Sequence, residues 1–182
     1  MHHLDSDTII AQTKKWIVDI VVGCNFCPFA AREIKRSSIH YEVLFDANKQ
    51  TALQTVAKIF NLLDTIKTIE TALIILPQGF DTFIYYLDIV DKAEQLLAKE
   101  NYEGIYQIAS FHPQYLFASS TILDSSNYTN RSPYPMLHFL REESVSKVID
   151  AHPNIDDVPE NNMKYTKEMG LEYMQKLFTA CM

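Results

Sequence analysis

The chain has 182 residues, of which 47% are hydrophobic, and no change in composition divides it, so we expect a single domain spanning residues 1–182. A formal net charge of −7 argues against binding to nucleic acid or to anionic membranes, because both require a basic surface. No apolar run approaches the ~20 residues of a transmembrane helix, and the first residues do not resemble a secretion signal, so we expect a soluble cytoplasmic protein.

The N-terminal part of the chain predicts two helices. Apolar residues recur with helical spacing over residues 5–23, and Gly23 is the expected C-terminal stop. Proline suits the first turn of a second, short helix over residues 28–36. Cys27 would therefore lie at the N-terminus of that helix.

Three predicted strands alternate with helices in the middle of the chain. Residues 39–45 alternate like a strand away from the centre of the sheet, whereas the continuously apolar residues 71–76 predict a central strand. Residues 105–111 form the third strand. Helical patterns over residues 50–66 and 82–100 separate the three strands.

Helices are expected again towards the C-terminus. The spacing of apolar residues predicts a helix over residues 136–150, and an alternative is that this helix is interrupted near Arg141. A proline begins a final predicted helix over residues 159–178. The connection between them, residues 151–158, is acidic.

The order of these elements predicts the fold class. Strands that alternate with helices favour an α/β fold with a small, mostly parallel sheet of three to four strands, covered by helices and flanked by helical N- and C-terminal segments. An α+β, ferredoxin-like arrangement is the alternative, because two of the three strands have an alternating pattern that suits one lightly covered face.

His112 lies directly after the third predicted strand and is followed by Pro113. Ligands of open α/β sheets bind at the carboxyl ends of the strands, so we expect His112 at the rim of a site. An imidazole there can act as a general base or as a metal ligand near neutral pH. The structural alternative is a histidine that bonds to a loop carbonyl, with Pro113 only ending the strand.

The segment 130–135 leads into the helix predicted from residue 136. Ser132 or Tyr134 would then lie near the exposed N–H groups at the positive end of that helix, beside Arg131 and Asn130. N–H groups beside an arginine suit a phosphate or a carboxylate, so the sequence predicts an anion-binding site.

Further along the same predicted helix, Tyr134, His138 and Arg141 would share one face. Arg141 would add a second cation to the anion site, and His138 would act as an acid or base. The alternative is that Arg131 and Arg141 pair with surface carboxylates, which contributes only about 0–1 kcal/mol when the pair is exposed.

Cys24 and Cys27 form a CxxC motif. A thiol at a helix N-terminus is often activated, so Cys27 is a candidate nucleophile. The motif follows a helix rather than the strand of a thioredoxin-like site, and as half of a zinc site it would need His112 and His138 as further ligands. The alternative is that both cysteines are simply small buried residues.

Three motifs, CPFA at residues 27–30, ASFHP at 109–113 and NRSPYPMLHFLRE at 130–142, resemble those of a bacterial family named domain of unknown function 1415. The resemblance spans most of the chain and implies no particular activity, substrate or cofactor. In the family pattern a cysteine corresponds to Cys27 and an apolar residue to Cys24. This departure argues against a redox or zinc site built on both cysteines.

The leading functional hypothesis is a small cytosolic enzyme that acts on an anionic molecule carrying a phosphate or carboxylate. Arg131 and Arg141 would hold the anion. His112 or His138 would move protons, and Cys27 would be a nucleophile or a wall of the pocket. This hypothesis requires His112, Arg131 and His138 to line one pocket.

Two other hypotheses belong to different classes. In a non-catalytic ligand- or peptide-binding regulatory module, the same arginines would recognise the ligand and the histidines would be structural. In a metal-binding protein, the ligands would be Cys27, His112 and His138.

Overall fold

The computed structural model describes residues 4–151 and 158–182, and the side chains of all of these except 149–151. The helices are α1 (Ser6–Trp16), a π-helix (Ile17–Val22), α2 (Ala30–Arg36), α3 (Lys49–Thr65), α4 (Phe83–Lys99), a 3₁₀-helix (Ser125–Thr129), α5 (Glu142–Ala151), α6 (Val158–Met169) and α7 (Leu171–Thr179). The strands are β1 (Ile39–Val43), β2 (Thr71–Ile75), β3 (Tyr106–Phe111) and β4 (Met136–Arg141). Residues 152–157 of the predicted acidic connection lie outside the described residues.

The strands form one mixed sheet in the order β1-β2-β4-β3. β1 and β2 are parallel, whereas β4 lies antiparallel between β2 and β3. β1, β2 and β3 therefore run in the same direction, as expected for strands joined by helical crossovers. The predicted α/β fold with helical terminal segments is confirmed. β1 lies at an edge of the sheet and the fully buried β2 in its interior, as predicted.

The helix predicted over residues 136–150 is wrong in its first half, because Met136–Arg141 form β4 and α5 begins only at Glu142. A short apolar run fits a strand covered on both faces as well as it fits a buried helix. Strand pairing decides between them, since β4 has a hydrogen-bonded neighbour on each side. His138 and Arg141 consequently point to opposite faces of the sheet rather than along one helix face.

The predicted N-terminal helix has the expected length and ends at Gly23 as predicted, but the glycine is needed there for a different reason. α1 passes into the π-helix, whose i to i+5 bonding includes the Gly23 N–H and the Val18 carbonyl oxygen at 3.0 Å. Gly23 keeps a helical φ of −61°, and the left-handed residue is Asn25 with a φ of 56°. A Cβ on Gly23 would meet the Asp19 carbonyl oxygen at 2.3 Å, so close packing rather than a turn requires this glycine.

Helices cover both faces of the sheet. α3 and α4 pack on one face, to which Ile74, Leu137 and Phe139 point. α1, the π-helix and α7 pack on the other face, to which Leu73 and Ile75 point. No helix in residues 4–151 and 158–182 is both long and apolar enough to cross a bilayer.

Candidate functional site

A pocket of about 190 Å³ lies on the sheet face opposite α3 and α4. Sheet side chains form its floor, and the end of α1, the π-helix and the start of α2 form its walls. The lining residues are Trp16, Ile17, Val21, Cys27, Phe29, Ala30, Glu33, Ile39, Thr71, Leu73, Ala109, Phe111, His138 and Leu140. Most of these side chains are apolar, and a small number of polar groups among them is typical of a ligand-binding pocket.

Two side chains shape this pocket. Ala109 lies opposite His138 in the β3–β4 register, and its small side chain leaves room above the sheet. The Trp16 indole stands edge-on to Phe111, with ring centroids 5.2 Å apart. Its Nε1–H donates to the Arg131 carbonyl oxygen at 3.0 Å, which fixes the indole as a wall. The adjoining π-helix is a rare element that occurs frequently at functional sites.

His138 supplies an imidazole to the pocket floor. Its Nε2 lies 2.7 Å from the Thr71 hydroxyl, which in turn donates its proton to the Phe139 carbonyl oxygen at 2.5 Å. Burial lowers the pKa of His138 to about 4, because the charged imidazolium would lose its hydration. His138 is therefore neutral at physiological pH.

Cys27 reaches the pocket from the loop before α2, which begins at Ala30 rather than at the predicted residue 28. Its thiol accepts hydrogen bonds from the backbone N–H groups of Phe29 and Ala30. Burial raises the pKa of the Cys27 thiol, and the two N–H groups oppose this rise only in part. The thiol is therefore protonated at neutral pH.

Cys24, the other cysteine of the CxxC motif, lies outside the pocket lining and is buried beside Tyr165. Both cysteines are free thiols. Among the described residues, no group of three or more His, Cys, Asp or Glu side chains is arranged to hold a metal ion. The metal hypothesis, with Cys27, His112 and His138 as ligands, stays a prediction, and the described residues do not bring these three side chains together.

Glu33 contributes a carboxylate to the pocket wall and is only 1% exposed. Arg32 Nε donates to its Oε1 at 2.5 Å, and the Ser38 hydroxyl donates to its Oε2 at 2.5 Å. These two bonds compensate for the burial of the carboxylate.

His112 lies away from the pocket, packed against Phe83 and Tyr86 of α4 with ring centroids 5.4 Å and 5.0 Å away. Its Nε2 donates to the Phe80 carbonyl oxygen and its Nδ1 accepts from the Gln114 N–H, both at 2.9 Å. Burial lowers the pKa of His112. Both ring nitrogens are occupied, so the geometry favours the structural alternative of a histidine that bonds to a loop carbonyl.

Arg131 is 9% exposed and bonds within the connection between β3 and β4. Its Nε donates to the Tyr115 carbonyl oxygen and its Nη2 to that of Ile122, both at 3.3 Å. The guanidinium also lies 4.6 Å from the centre of the Tyr128 ring. These contacts stabilise the long connection, and the side chain does not line the pocket.

Asn130 and Ser132 also bond to backbone carbonyls. Asn130 Nδ2 donates to the Ser110 carbonyl oxygen at 3.4 Å, and the Ser132 hydroxyl donates to that of Tyr134 at 2.6 Å. The segment leads into β4, so the helix N-terminus that the anion-site prediction needed does not exist here.

Arg141 lies on the α3 side of the sheet. Its Nη2 donates to the carbonyl oxygens of Leu63 and Ile69 at 2.6 Å and 3.0 Å, and its Nη1 donates to the Tyr106 hydroxyl at 3.3 Å. A cation at the C-terminal end of a helix satisfies carbonyls that have no partner within the helix. The geometry gives Arg141 the role of closing the end of α3.

The pocket contains two of the predicted site residues, Cys27 and His138. The enzyme hypothesis required His112, Arg131 and His138 to line one pocket. Of these three, only His138 lines the pocket. Sequence reasoning missed Thr71 and Glu33, which also line the pocket. A hydroxyl at the start of an otherwise apolar strand was a usable signal for Thr71, whereas nothing in the sequence marks Glu33.

The comparisons with known proteins give one family and no individual relative. No curated protein and no solved structure matches the chain. The family model described as "Protein of unknown function (DUF1415)" matches residues 8–176, which is most of the chain. The chain therefore belongs to the DUF1415 family, as its motifs predicted.

Proposed function

We propose that the protein binds a small, mainly apolar molecule in the pocket between the sheet and the N-terminal helices. The observation that carries this proposal is an apolar lining around a cavity of about 190 Å³, interrupted by an imidazole and a thiol. An apolar cavity of about 150 Å³ is large enough to bind benzene. The pocket thus has room for one six-membered ring with a small substituent.

An anionic ligand stays a prediction that the described contacts do not favour. Arg131 and Arg141 already donate to backbone carbonyls and do not line the pocket. Among the described residues, no lysine or arginine lines the pocket, and the charged side chain that does line it, Glu33, is a carboxylate already paired with Arg32.

Catalysis by a thiol is the second candidate, because Cys27 and His138 share the pocket. Nucleophilic cysteines act as thiolates, usually beside an imidazolium. Here burial raises the pKa of Cys27 and lowers that of His138, so both groups favour their neutral forms. This electrostatic environment supports binding more than nucleophilic chemistry.

A cytoplasmic location is part of the proposal. It is supported by the three free thiols, Cys24, Cys27 and Cys181, which suit a reducing compartment.

Filling the pocket tests the proposed function. Ala109→Ile places a larger apolar side chain on the pocket floor in a strand position that tolerates β-branched residues. Gln107→Ile is the matched control, since it lies two positions earlier on the same strand face and outside the pocket lining. The measurement is the thermal stability of each variant with a panel of small apolar compounds and of phosphate- and carboxylate-bearing compounds.

We expect apolar compounds to raise the melting temperature of the wild type and of Gln107→Ile but not of Ala109→Ile, because a ligand that binds only the folded form stabilises it. Stabilisation that survives in Ala109→Ile would contradict the pocket as the site. A phosphate-bearing compound whose effect is lost in Arg131→Ala would instead support the anion hypothesis.

A further inference from the structure

The hydrogen bonds around His138 determine which of its ring nitrogens carries the proton. The Phe139 carbonyl can only accept, so the single proton of the Thr71 hydroxyl is used in the bond to it. The hydroxyl must then accept at its contact with His138 Nε2, and Nε2 carries the hydrogen. Nδ1 is consequently an acceptor with a lone pair.

Nδ1 of His138 has no hydrogen-bond partner among residues 4–151 and 158–182. The ring lines the pocket, so a ligand in the pocket is positioned to supply the missing donor. A ligand without a donor would cover this acceptor and leave it without a hydrogen bond, which favours ligands that can donate to it. Burial keeps the pKa of His138 at about 4, so Nδ1 remains an acceptor at neutral pH.

The other polar groups of the pocket narrow the ligand class further. Both carboxylate oxygens of Glu33 already accept hydrogen bonds, from Arg32 and from Ser38. The Thr71 hydroxyl has already given its proton to a backbone carbonyl. Apart from the Cys27 thiol in the wall, which is only a weak donor and acceptor, Nδ1 of His138 is therefore the polar atom left for recognition.

Resting on the proposed function, we infer that the pocket selects an uncharged ring-sized molecule with one hydrogen-bond donor, such as a phenol or a cyclic alcohol, and that His138 Nδ1 accepts from this donor. No lysine or arginine in the described part of the chain lines the pocket, so a carboxylate or phosphate ligand of the same size would be buried without a counter-charge. Thr71 is a positioning residue, because its hydroxyl fixes the tautomer of the imidazole.

Phenol and toluene are suitable probes, because they have nearly the same shape and differ in the donor. Calorimetric titration of the wild type should give phenol a dissociation constant about 3- to 10-fold below that of toluene, the advantage of one net hydrogen bond. Benzoate should bind at least about tenfold more weakly than phenol, because its charge would be buried in an apolar pocket without a cation to pair with it. Anisole, which has an ether oxygen but no donor, should also bind more weakly than phenol.

His138→Phe removes the acceptor and keeps a ring of similar size. In this variant toluene should bind more tightly than phenol, because the phenol hydroxyl would be buried without a partner. The ratio of the two dissociation constants should change by about tenfold or more. Thr71→Val should reduce the preference for phenol over anisole, since the tautomer is then no longer fixed.

A second measurement uses the wild type alone, so it does not depend on how the variants fold. Nitrogen-15 NMR of the His138 ring should show a protonated Nε2 in the free protein, and the Nδ1 signal should move on addition of phenol but not of toluene. An Nδ1-protonated ring, or toluene bound at least as tightly as phenol in the wild type, would overturn the inference and leave ligand binding intact. If neither phenol nor toluene binds, the proposed function fails as well.

Discussion

At the scale of the residue, the hydrogen bonds that a side chain already makes decide which of its atoms can still bind a ligand. His138 and Arg141 lie in the same strand, yet the imidazole keeps a lone pair in the pocket and the guanidinium is used by carbonyls at the end of α3. His112 has both ring nitrogens bonded to its own chain. The sequence identifies residue types suited to a site, but most of the partners that occupy them, such as Leu63 for Arg141, are remote in the sequence.

The buried His138 predicts a pH dependence of folding. Its pKa is about 4 in the folded protein, below the ordinary value of 6.5 that the unfolded chain would have. Between these two values the unfolded form binds a proton that the folded form does not, so the free energy of unfolding falls as the pH falls below about 6.5. From pH 7 to pH 5 this contribution should amount to about 2 kcal/mol.

Urea denaturation at both pH values measures this loss. His138→Phe should lose about 2 kcal/mol less than the wild type between pH 7 and pH 5. His112, whose pKa is also lowered, contributes equally to both proteins and cancels in the difference. His40→Gln is the control for the loss of a histidine, because His40 lies outside the pocket on the edge strand β1. The same pH dependence in His138→Phe and the wild type would contradict this assignment.

At the scale of the element, local patterns specify most helices and strands but do not specify β4. The strand differs from the helix expected there because its apolar run, buried on both faces, lacks the two-residue alternation that identifies a half-exposed strand. Its pairing partners, β2 and β3, begin 65 and 30 residues earlier in the chain. The absence of the predicted helix also removes the helix N-terminus on which the anion site depended.

A prediction at this scale concerns Gly79, in the loop that follows β2. It has a φ of +92°, and a Cβ there would meet the Ala47 carbonyl oxygen at 2.0 Å. Gly79→Ala should lower the free energy of unfolding by about 3 kcal/mol or more, because the backbone must move as well as bear a left-handed alanine.

Gly104→Ala is the matched control for Gly79→Ala. It also has a positive φ, of +76°, but an added Cβ would have no neighbour within 4 Å. Its cost should therefore be the backbone strain alone, about 1–2 kcal/mol. Chemical denaturation of the two variants compares them directly, and equal losses would show that the contact with Ala47 is unimportant.

At the scale of the whole molecule, the two faces of the sheet are packed differently. The face under α3 and α4 is a continuous core, whereas the face under α1, the π-helix and α2 encloses the pocket. Leu137 lies at 0% exposure in the first, and Leu73 at 2% exposure on the pocket floor of the second. These two leucines lie in the central strands β4 and β2.

Leucine-to-alanine substitutions on the two faces should therefore differ in cost. Both fall in the range of about 2–5 kcal/mol for buried leucines, but Leu137→Ala should cost at least about 1 kcal/mol more than Leu73→Ala. Leu73 already borders space without packing partners, so its truncation removes fewer contacts. Urea denaturation of the two variants measures the difference, and a larger loss for Leu73→Ala would argue that the pocket is not present in solution.

The sequence by itself determined the α/β class, the edge position of β1, the interior position of β2 and the family, because these depend on periodicity and motifs that lie within short stretches of chain. Helix starts are specified in the same local way, as where Asn48 Oδ1 accepts from the Gln50 and Thr51 N–H groups at the start of α3.

Only the tertiary structure decided the nature of β4 and the composition of the pocket. His138 meets Thr71 across 67 positions of sequence, and Cys27 joins them from the loop before α2. Arg131 and Arg141 were expected at a site and are instead bonded to carbonyls of the β3–β4 connection, of the end of α3 and of the loop after it. The physical reason is that strand pairing and the satisfaction of buried polar groups involve residues far apart in the chain, which no local pattern encodes.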